Sequence, residues 1–360
     1  KGNITVAVES DRGRLYGLIF DGASGHVLDN QGDITVTLTK TQADDLTTQG
    51  VAIRSAGDYR NSGTITVNGT NVGGWGSLDA ILIDNNFSDG QRVAFTNAGT
   101  ISSTLTGQQV VNDGDASYSG VHLLHLNYTD FVNEASGTIT GTLDAVAAYG
   151  ASMYASTFTN KGELSVTMTG HQIGQLAGSG SNPNDPTPDT TGQYQEQAGM
   201  RIGSGSSFIN EEGATYSYTL TNADDSITTT HGFAFITNND GVKDTITNRG
   251  TVRITLSDVA QREADSNLQA GVIRSDDLFE NYGLVEIRVT DAGNVGNPDT
   301  TLDATGGSIT NAGTLDIDEN VSGGSRAGIT VSSAGVATNS NLIDIDAAAT
   351  GEGSYIGLFQ

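Results

Sequence analysis

One short phrase recurs from one end of the chain to the other, and it constrains the fold more than any other feature. An apolar or aromatic residue stands two positions before an asparagine, and a glycine usually stands two positions after it. A run in which aliphatic residues alternate with threonine follows, as in residues 28–38, 59–67 and 95–101. The asparagines of the ten copies are Asn30, Asn61, Asn97, Asn133, Asn160, Asn210, Asn248, Asn281, Asn311 and Asn339.

The phrase is constant, whereas the distance between copies varies. Neighbouring asparagines are as close as 27 residues, from Asn133 to Asn160, and as distant as 50, from Asn160 to Asn210. Variable spacing is typical of solenoids whose rungs share a core and carry loops of different length. The apolar residues alternate with a period of two, which favours strands over helices. We therefore predict an all-β fold, a parallel β-helix whose single domain spans residues 1–360.

Each copy of the repeat contains three short apolar segments, and each segment predicts a strand. One follows the asparagine, one precedes it, and the third lies earlier and usually starts at a small residue such as Gly17 or Gly50. Stacking such coils at the spacing of parallel strands gives about eleven rungs. Long inserts predict projecting loops at residues 170–197, which hold three of the four prolines, at 291–307 and at 257–266.

Stacked rungs place equivalent residues above one another, so the phrase predicts two columns. The asparagines form a structural ladder at a corner that would otherwise bury unpaired polar groups, and the glycine after them is expected to need positive φ. The position two before asparagine forms an internal stack, where each buried side chain contributes roughly 1.5–3 kcal/mol. The members of this core stack are Tyr59, Phe95, Phe131, Phe158, Phe208, Ile246, Phe279 and Ile309.

A further set of apolar residues is expected on the outside of the coil. Ile19, Ala52 and Leu82 alternate with inward-facing residues at equivalent positions of three consecutive rungs. They predict an outward apolar stripe that either lies under a loop or serves as a lateral contact surface, and we favour the contact surface.

The first and last strands belong to incomplete rungs, which predicts open sheet edges. Either the sequence is a segment of a longer solenoid, or copies of the chain stack end to end through these edges. Both explanations stay open at this point. The apolar edge residues are Ile4, Val6, Ile356, Leu358 and Phe359.

The chain is strongly acidic and contains no cysteine. Its 16 Lys and Arg against 42 Asp and Glu give a formal net charge of −26. Such a field repels phosphate backbones and anionic membranes, so we expect no nucleic-acid partner and no membrane insertion of this segment. The lack of cysteine excludes disulfides and thiolate sites. Acidic turns suit calcium, with diffuse counterions as the alternative, and the candidate ligands are Asp113, Asp115, Asp185 and Asp189.

Residues for catalysis or for tighter metal binding are few. Of the five histidines, only His122 and His125 are close in sequence. A spacing of three on a regular strand places two side chains on opposite faces, so we expect no metal site from this pair. No nucleophile elbow or phosphate-binding loop occurs, and Trp75 is the single tryptophan available as a sugar platform. The sequence therefore predicts no enzyme, no catalytic residue and no certain cofactor.

Three segments of the repeat carry a family resemblance. Residues 96–101, 136–143 and 310–315 resemble β-helical passenger domains of Gram-negative autotransporters and related repeat-rich bacterial surface proteins. The resemblance implies a right-handed coil, an extracellular location at the bacterial surface, and a non-enzymatic role in adhesion, self-association or a surface coat. The expected partner is then another copy of the chain or a ligand on a host or cell surface.

Two alternatives to this role stay open. One is a filament or surface-layer subunit that stacks end to end through open β-helix edges. The other, from a different class, is a carbohydrate-active β-helix enzyme, which would need paired carboxylates in a groove.

Overall fold

A computed structural model describes most of the chain. The described residues are 2–21, 26–42, 46–74, 76–85, 91–109, 111–112, 120–145, 147–169, 193–194, 196–221, 229–235, 242–257, 267–274, 277–290, 302–322, 326–332, 335–350 and 355–359. Within these ranges there is no helix long and apolar enough to cross a membrane. The calcium candidates Asp113, Asp115, Asp185 and Asp189 lie outside the described residues, as do most of the predicted loops at 170–197, 291–307 and 257–266.

The described residues form 34 strands. The first twelve are β1 (Ile4–Ser10), β2 (Leu15–Phe20), β3 (His26–Asn30), β4 (Asp33–Lys40), β5 (Thr48–Ile53), β6 (Gly57–Asn61), β7 (Thr64–Gly74), β8 (Ser77–Asp84), β9 (Val93–Asn97), β10 (Thr100–Gln109), β11 (Val111–Asn112) and β12 (Gly120–Asn127). The next eleven are β13 (Thr129–Asn133), β14 (Thr138–Ala145), β15 (Ala148–Tyr154), β16 (Thr157–Asn160), β17 (Glu163–Thr169), β18 (Gln193–Tyr194), β19 (Glu196–Gly203), β20 (Ser207–Asn210), β21 (Thr215–Thr221), β22 (Thr229–Phe235) and β23 (Thr245–Asn248). The last eleven are β24 (Thr251–Ser257), β25 (Asn267–Arg274), β26 (Leu278–Asn281), β27 (Leu284–Thr290), β28 (Leu302–Thr305), β29 (Ser308–Asn311), β30 (Thr314–Ser322), β31 (Arg326–Ser332), β32 (Val336–Asn339), β33 (Ile343–Thr350) and β34 (Tyr355–Phe359).

These strands form three long parallel sheets. Sheet 1 contains the strands that follow the asparagine turn and runs β1-β4-β7-β10-β14-β17-β21-β24-β27-β30-β33. Sheet 2 runs β2-β5-β8-β12-β15-β19-β22-β25-β28-β31-β34, and sheet 3 runs β3-β6-β9-β13-β16-β20-β23-β26-β29-β32. Each complete rung supplies one strand to each sheet, whereas β11 and β18 pair antiparallel with each other. The predicted fold class, a right-handed parallel β-helix, is confirmed.

The asparagines occupy one column at the corner between sheets 3 and 1. From Asn30 to Asn339, each side-chain Nδ2 donates to the Oδ1 of the next asparagine at 2.7–2.9 Å. Most of these Nδ2 atoms also donate to a backbone carbonyl of the following rung, as from Asn61 to Thr100 at 3.2 Å. The ladder therefore joins every rung in which the phrase occurs.

The glycine after the asparagine is required for a different reason than positive φ. A Cβ at Gly63 would lie 2.0 Å from the carbonyl oxygen of Gly32 in the preceding rung, and a Cβ at Gly99 would lie equally close to that of Gly63. Neither Gly63 nor Gly99 has φ in the left-handed region, whereas Gly213, where the phrase carries an extra residue, has φ of 83°. Close stacking of backbones selects glycine at the regular turns.

The residues of the core stack stand on the strands of sheet 3 and point into the centre of the coil. Phe95, Phe131 and Phe158 pair in register, with ring centroids 4.9 and 5.0 Å apart. Parallel in-register strands put like side chains over one another, so the column excludes water along its length. All predicted members of this column are buried, namely Tyr59, Phe95, Phe131, Phe158, Phe208, Ile246, Phe279 and Ile309.

Sheet 2 departs from simple alternation. In β12, both Leu123 and Leu124 belong to the hydrophobic core, although they are consecutive. A Cβ at Gly141, on the facing strand of sheet 1, would meet the Leu123 side chain at 2.6 Å, so Leu123 points inward. The pairing of β12 with β15 passes from His122–Tyr149 directly to Leu124–Ala151. This irregularity turns one extra residue inward and shifts the outward positions by one.

The apolar stripe of Ile19, Ala52 and Leu82 lies on the outward face of sheet 2, in register as predicted. Ile19 is 40 % exposed, but Ala52 and Leu82 are 0 % and 4 % exposed. A contact surface must be open to solvent, so that interpretation is wrong for Ala52 and Leu82. At their rungs the outward face of the sheet is itself covered, and the coil has a second buried layer there.

The predicted edge residues lie in the first strand of sheet 1 and the last strand of sheet 2. Ile4 is 44 % exposed, and Val6 is partly buried against the core. The backbone of β34, with Ile356, Leu358 and Phe359, pairs with β31. The side chains of these three residues lie outside the described part of the structure.

Candidate functional site

A polar cluster interrupts the covered apolar layer outside sheet 2. Asp79 of β8 pairs with His122 of β12, and three residues further along the same two strands Leu82 pairs with His125. Asp79 and His122 are fully buried, and His125 is 4 % exposed. Buried charged groups are normally paired, so the burial of Asp79 requires partners for its carboxylate.

A single carboxylate oxygen of Asp79 contacts both imidazole rings. Asp79 Oδ1 lies 2.8 Å from His122 Nδ1 and 3.2 Å from His125 Nδ1. The His125 contact is a regular hydrogen bond, whereas the shorter His122 contact is not aligned as one. The other carboxylate oxygen, Oδ2, accepts a hydrogen bond from Ser77 Oγ at 2.7 Å. The carboxylate is thus fixed in orientation, and its Oδ1 faces the two rings.

Aromatic rings pack against the cluster on the side that faces β15 and β19. The His122 ring lies against that of His125, with centroids 4.6 Å apart, and stacks on Tyr149 at 5.0 Å and 16°. The Arg201 guanidinium lies over the same Tyr149 ring, 5.3 Å from its centroid. Tyr149 stands on β15, between β12 and β19 in the strand order, so it separates His122 from Arg201.

The cluster combines a carboxylate with an uncharged imidazole at neutral pH. Burial lowers the pKa of His122 to about 4, and the nearby Asp79 carboxylate offsets this only in part. Burial alone would raise the pKa of Asp79, but its contacts with His122 and His125 outweigh burial and hold that pKa well below the ordinary value. Asp79 is therefore ionised, while His122 keeps one nitrogen lone pair available.

The expectation that His122 and His125 lie on opposite faces is wrong. It assumed strict alternation along β12, but Leu123 and Leu124 both turn inward and leave the two histidines on one face. A signal existed in the sequence, because Val121, Leu123, Leu124 and Leu126 are all apolar and bracket the histidines. The same doubling occurs in β8, where Ala80 and Ile81 are both in the core.

The remaining predicted residues do not contribute to this cluster. The asparagine ladder lies at the corner of sheets 3 and 1, and the core stack lies inside the coil. Of the predicted lateral residues, Leu82 borders the cluster through its pairing with His125. Two imidazoles and one carboxylate within 4.8 Å of one another have the composition of a metal site, but their burial excludes a polymeric substrate from them.

Comparisons with known proteins agree with the architecture. Neither the curated proteins nor the solved structures gave a match to this chain. A family model gave one, and it covers most of the β-helix, including β8 and β12. Residues 1–273 match the BigA third pectate lyase-like domain, and the chain accordingly belongs to this family of β-helix domains from bacterial surface proteins.

Proposed function

We propose that this domain is a non-enzymatic, rigid structural element at the extracellular surface of a bacterium, where it supports adhesion, self-association or a surface coat. The uninterrupted asparagine ladder from Asn30 to Asn339 is the observation that carries the proposal. A solenoid with a continuous hydrogen-bonded column and core resists bending between rungs, since each rung is fixed to both neighbours. Such a rod holds attached segments at a distance.

The described surface also supports a structural role. Opposite charges meet across adjacent rungs, as between Arg253 and Glu286 at 2.6 Å and between Arg288 and Asp316 at 2.7 Å. Exposed pairs of this kind contribute only about 0.2–1 kcal/mol each, so they favour the register more than the overall stability. That the domain belongs to an autotransporter passenger is part of this proposal.

The net charge of −26 sets a condition on self-association. Copies of the chain repel one another at low ionic strength. At 0.1 M salt this repulsion is largely screened at distances beyond about 10 Å. If copies associate laterally or end to end into a filament or surface layer, association should increase with salt. Binding to a cationic ligand should instead decrease with salt.

A carbohydrate-active domain is the second candidate. The family description, pectate lyase-like, raises it. Tyr128 and Tyr154 form an exposed aromatic pair with ring centroids 5.7 Å apart, which favours a sugar ligand at this corner. A sugar bound there would serve adhesion as readily as catalysis, so turnover decides between the two functions.

Two measurements on the whole chain test the proposal. Incubation with polygalacturonate, with and without calcium, is followed by the ultraviolet absorbance of unsaturated products, with heat-denatured protein as control. We expect no turnover, and turnover by the native protein alone would contradict the non-enzymatic assignment.

Light scattering and negative-stain images across a salt series then measure association, and immobilised chain measures binding to cells and glycans. A chain that stays monomeric and binds neither would contradict the adhesive and self-associating role.

A further inference from the structure

The polar cluster outside sheet 2 has a composition that the structural role leaves unexplained. We propose that Asp79, His122 and His125 form a binding site for a divalent transition-metal ion of the zinc class. The site would link the adjacent rungs that contain β8 and β12. It lies apart from the asparagine ladder and is independent of whatever the outer surface binds.

The distances from Asp79 to the two histidines are close to those between ligands that share an ion. Zinc binds imidazole nitrogen at about 2.0–2.1 Å and carboxylate oxygen at about 2.0–2.2 Å, so two such ligands at a tetrahedral angle are about 3.3 Å apart. Asp79 Oδ1 is 2.8 Å from His122 Nδ1 and 3.2 Å from His125 Nδ1. For these two pairs an ion needs an expansion of roughly half an ångström or less, and all three ligand atoms already lie within 4.8 Å of one another.

The orientation of His122 favours a shared ion over a hydrogen bond. Its Nδ1 is closer to Asp79 Oδ1 than His125 Nδ1 is, yet this contact lacks the alignment of a regular hydrogen bond. Two ligands of one metal direct their lone pairs at the ion rather than at each other, which produces this short and misaligned approach. A buried imidazole without an aligned partner is unfavourable, and a shared ion would supply that partner.

The donor set selects the class of ion. Two imidazoles and one carboxylate suit zinc and its neighbours in the first transition series, whereas calcium and magnesium prefer oxygen ligands alone. Ser77 Oγ binds the second carboxylate oxygen of Asp79 at 2.7 Å, which is the outer-shell support that orients a ligating carboxylate. Three protein ligands leave a tetrahedral ion one further position.

Arg201 is the charged group that opposes a cation here. It lies over the Tyr149 ring, which stands between it and His122. The ionised Asp79 is closer to the proposed ion than Arg201 is, because it is a ligand.

The test uses the whole chain, stripped with chelator and dialysed against zinc, calcium or magnesium in separate samples. Elemental analysis gives the bound metal per chain, and titration calorimetry gives the affinity. We expect one zinc per chain, retained on dialysis, with an increase in the thermal midpoint, and no comparable effect of calcium or magnesium. Cobalt should give visible absorption bands of a low-coordinate nitrogen–oxygen site.

Three single variants and one matched control separate this site from surface acids. His125→Gln, His122→Gln and Asp79→Asn should each weaken zinc binding roughly 100-fold or more. His231→Gln removes a buried histidine of the same outward column of sheet 2, on β22, and should bind zinc as the parent does. Circular dichroism establishes that each variant is folded, and any that is not is replaced in the comparison by the other two. Parent protein that binds no zinc, or variants that keep the parent affinity, would overturn the proposal.

Discussion

Asn97 donates its side-chain amide to the side-chain oxygen of Asn133 at 2.8 Å, although the two residues are 36 positions apart in sequence. The bond exists because the intervening residues complete one coil and return the chain to the same corner. Asn133 then donates in the same way to Asn160, at 2.8 Å. Every internal asparagine is both donor and acceptor, so removal of one leaves two partners unsatisfied.

Replacement of Asn133 by alanine should therefore destabilise the domain by about 2–4 kcal/mol, since an unsatisfied buried polar group costs about 1–3 kcal/mol. The measurement is chemical denaturation followed by circular dichroism. Asn339→Ala is the matched control, because Asn339 is exposed and accepts from one ladder neighbour, Asn311. Equal losses of unfolding free energy for the two variants would show that the ladder adds little stability in the interior of the coil.

Replacement of Gly63 by alanine should cost about 3 kcal/mol or more, as the added Cβ would lie 2.0 Å from the Gly32 oxygen. Gly63→Asn should be at least as damaging, whereas a turn that needed positive φ would tolerate asparagine. Thermal midpoints of both variants are compared with that of Gly2→Ala, where nothing lies within 4 Å of the added carbon. A stable Gly63→Asn variant would restore the explanation by positive φ.

Leu82→Ala should destabilise the domain by about 2–5 kcal/mol, the usual range for a buried leucine. Ile19 occupies the same outward column but is 40 % exposed, compared with 4 % for Leu82. We expect Ile19→Ala to cost less than about 1 kcal/mol. Denaturation of the two variants in parallel measures the difference, and similar small losses would mean that the outward face of sheet 2 is open to solvent at Leu82.

Tyr216 should make the folded chain sensitive to alkaline pH. Burial, reinforced by Tyr218, raises the pKa of Tyr216 well above 10, and its hydroxyl donates to the Gly232 carbonyl at 2.9 Å. The unfolded tyrosine loses its proton near pH 10, so the stabilising contribution is complete below that pH and is lost as pH rises towards the folded value.

Tyr216→Phe should consequently flatten the loss of stability between about pH 9 and 11, while it costs about 1 kcal/mol at neutral pH through the lost hydrogen bond. Denaturation midpoints across this range provide the measurement. The parent chain, measured in parallel over the same pH range, gives the reference profile. An unchanged profile for Tyr216→Phe would contradict the assignment.

The sequence pattern predicted the column of asparagines and the column of phenylalanines because both repeat at fixed offsets within the phrase. Phe95 and Asn97 share a strand, and stacking alone brings them over Phe131 and Asn133. The cluster around Asp79 was not predicted. Its members come from two rungs whose outward residues in sheet 2 all differ. No residue type therefore recurs at a fixed position of the repeat to indicate the cluster.

The amino-acid sequence by itself determined the coil, its three strands per rung and its inward columns, since period-two patterning and a repeated turn act through local geometry. Tertiary structure decided which outward residues are buried and which lie together. That decision depends on one irregularity, the inward turn of both Leu123 and Leu124, which places His122 and His125 on the same face beside Asp79. Side-chain direction along a strand is set by the backbone of the whole sheet, and a single extra inward residue reverses it for every position that follows.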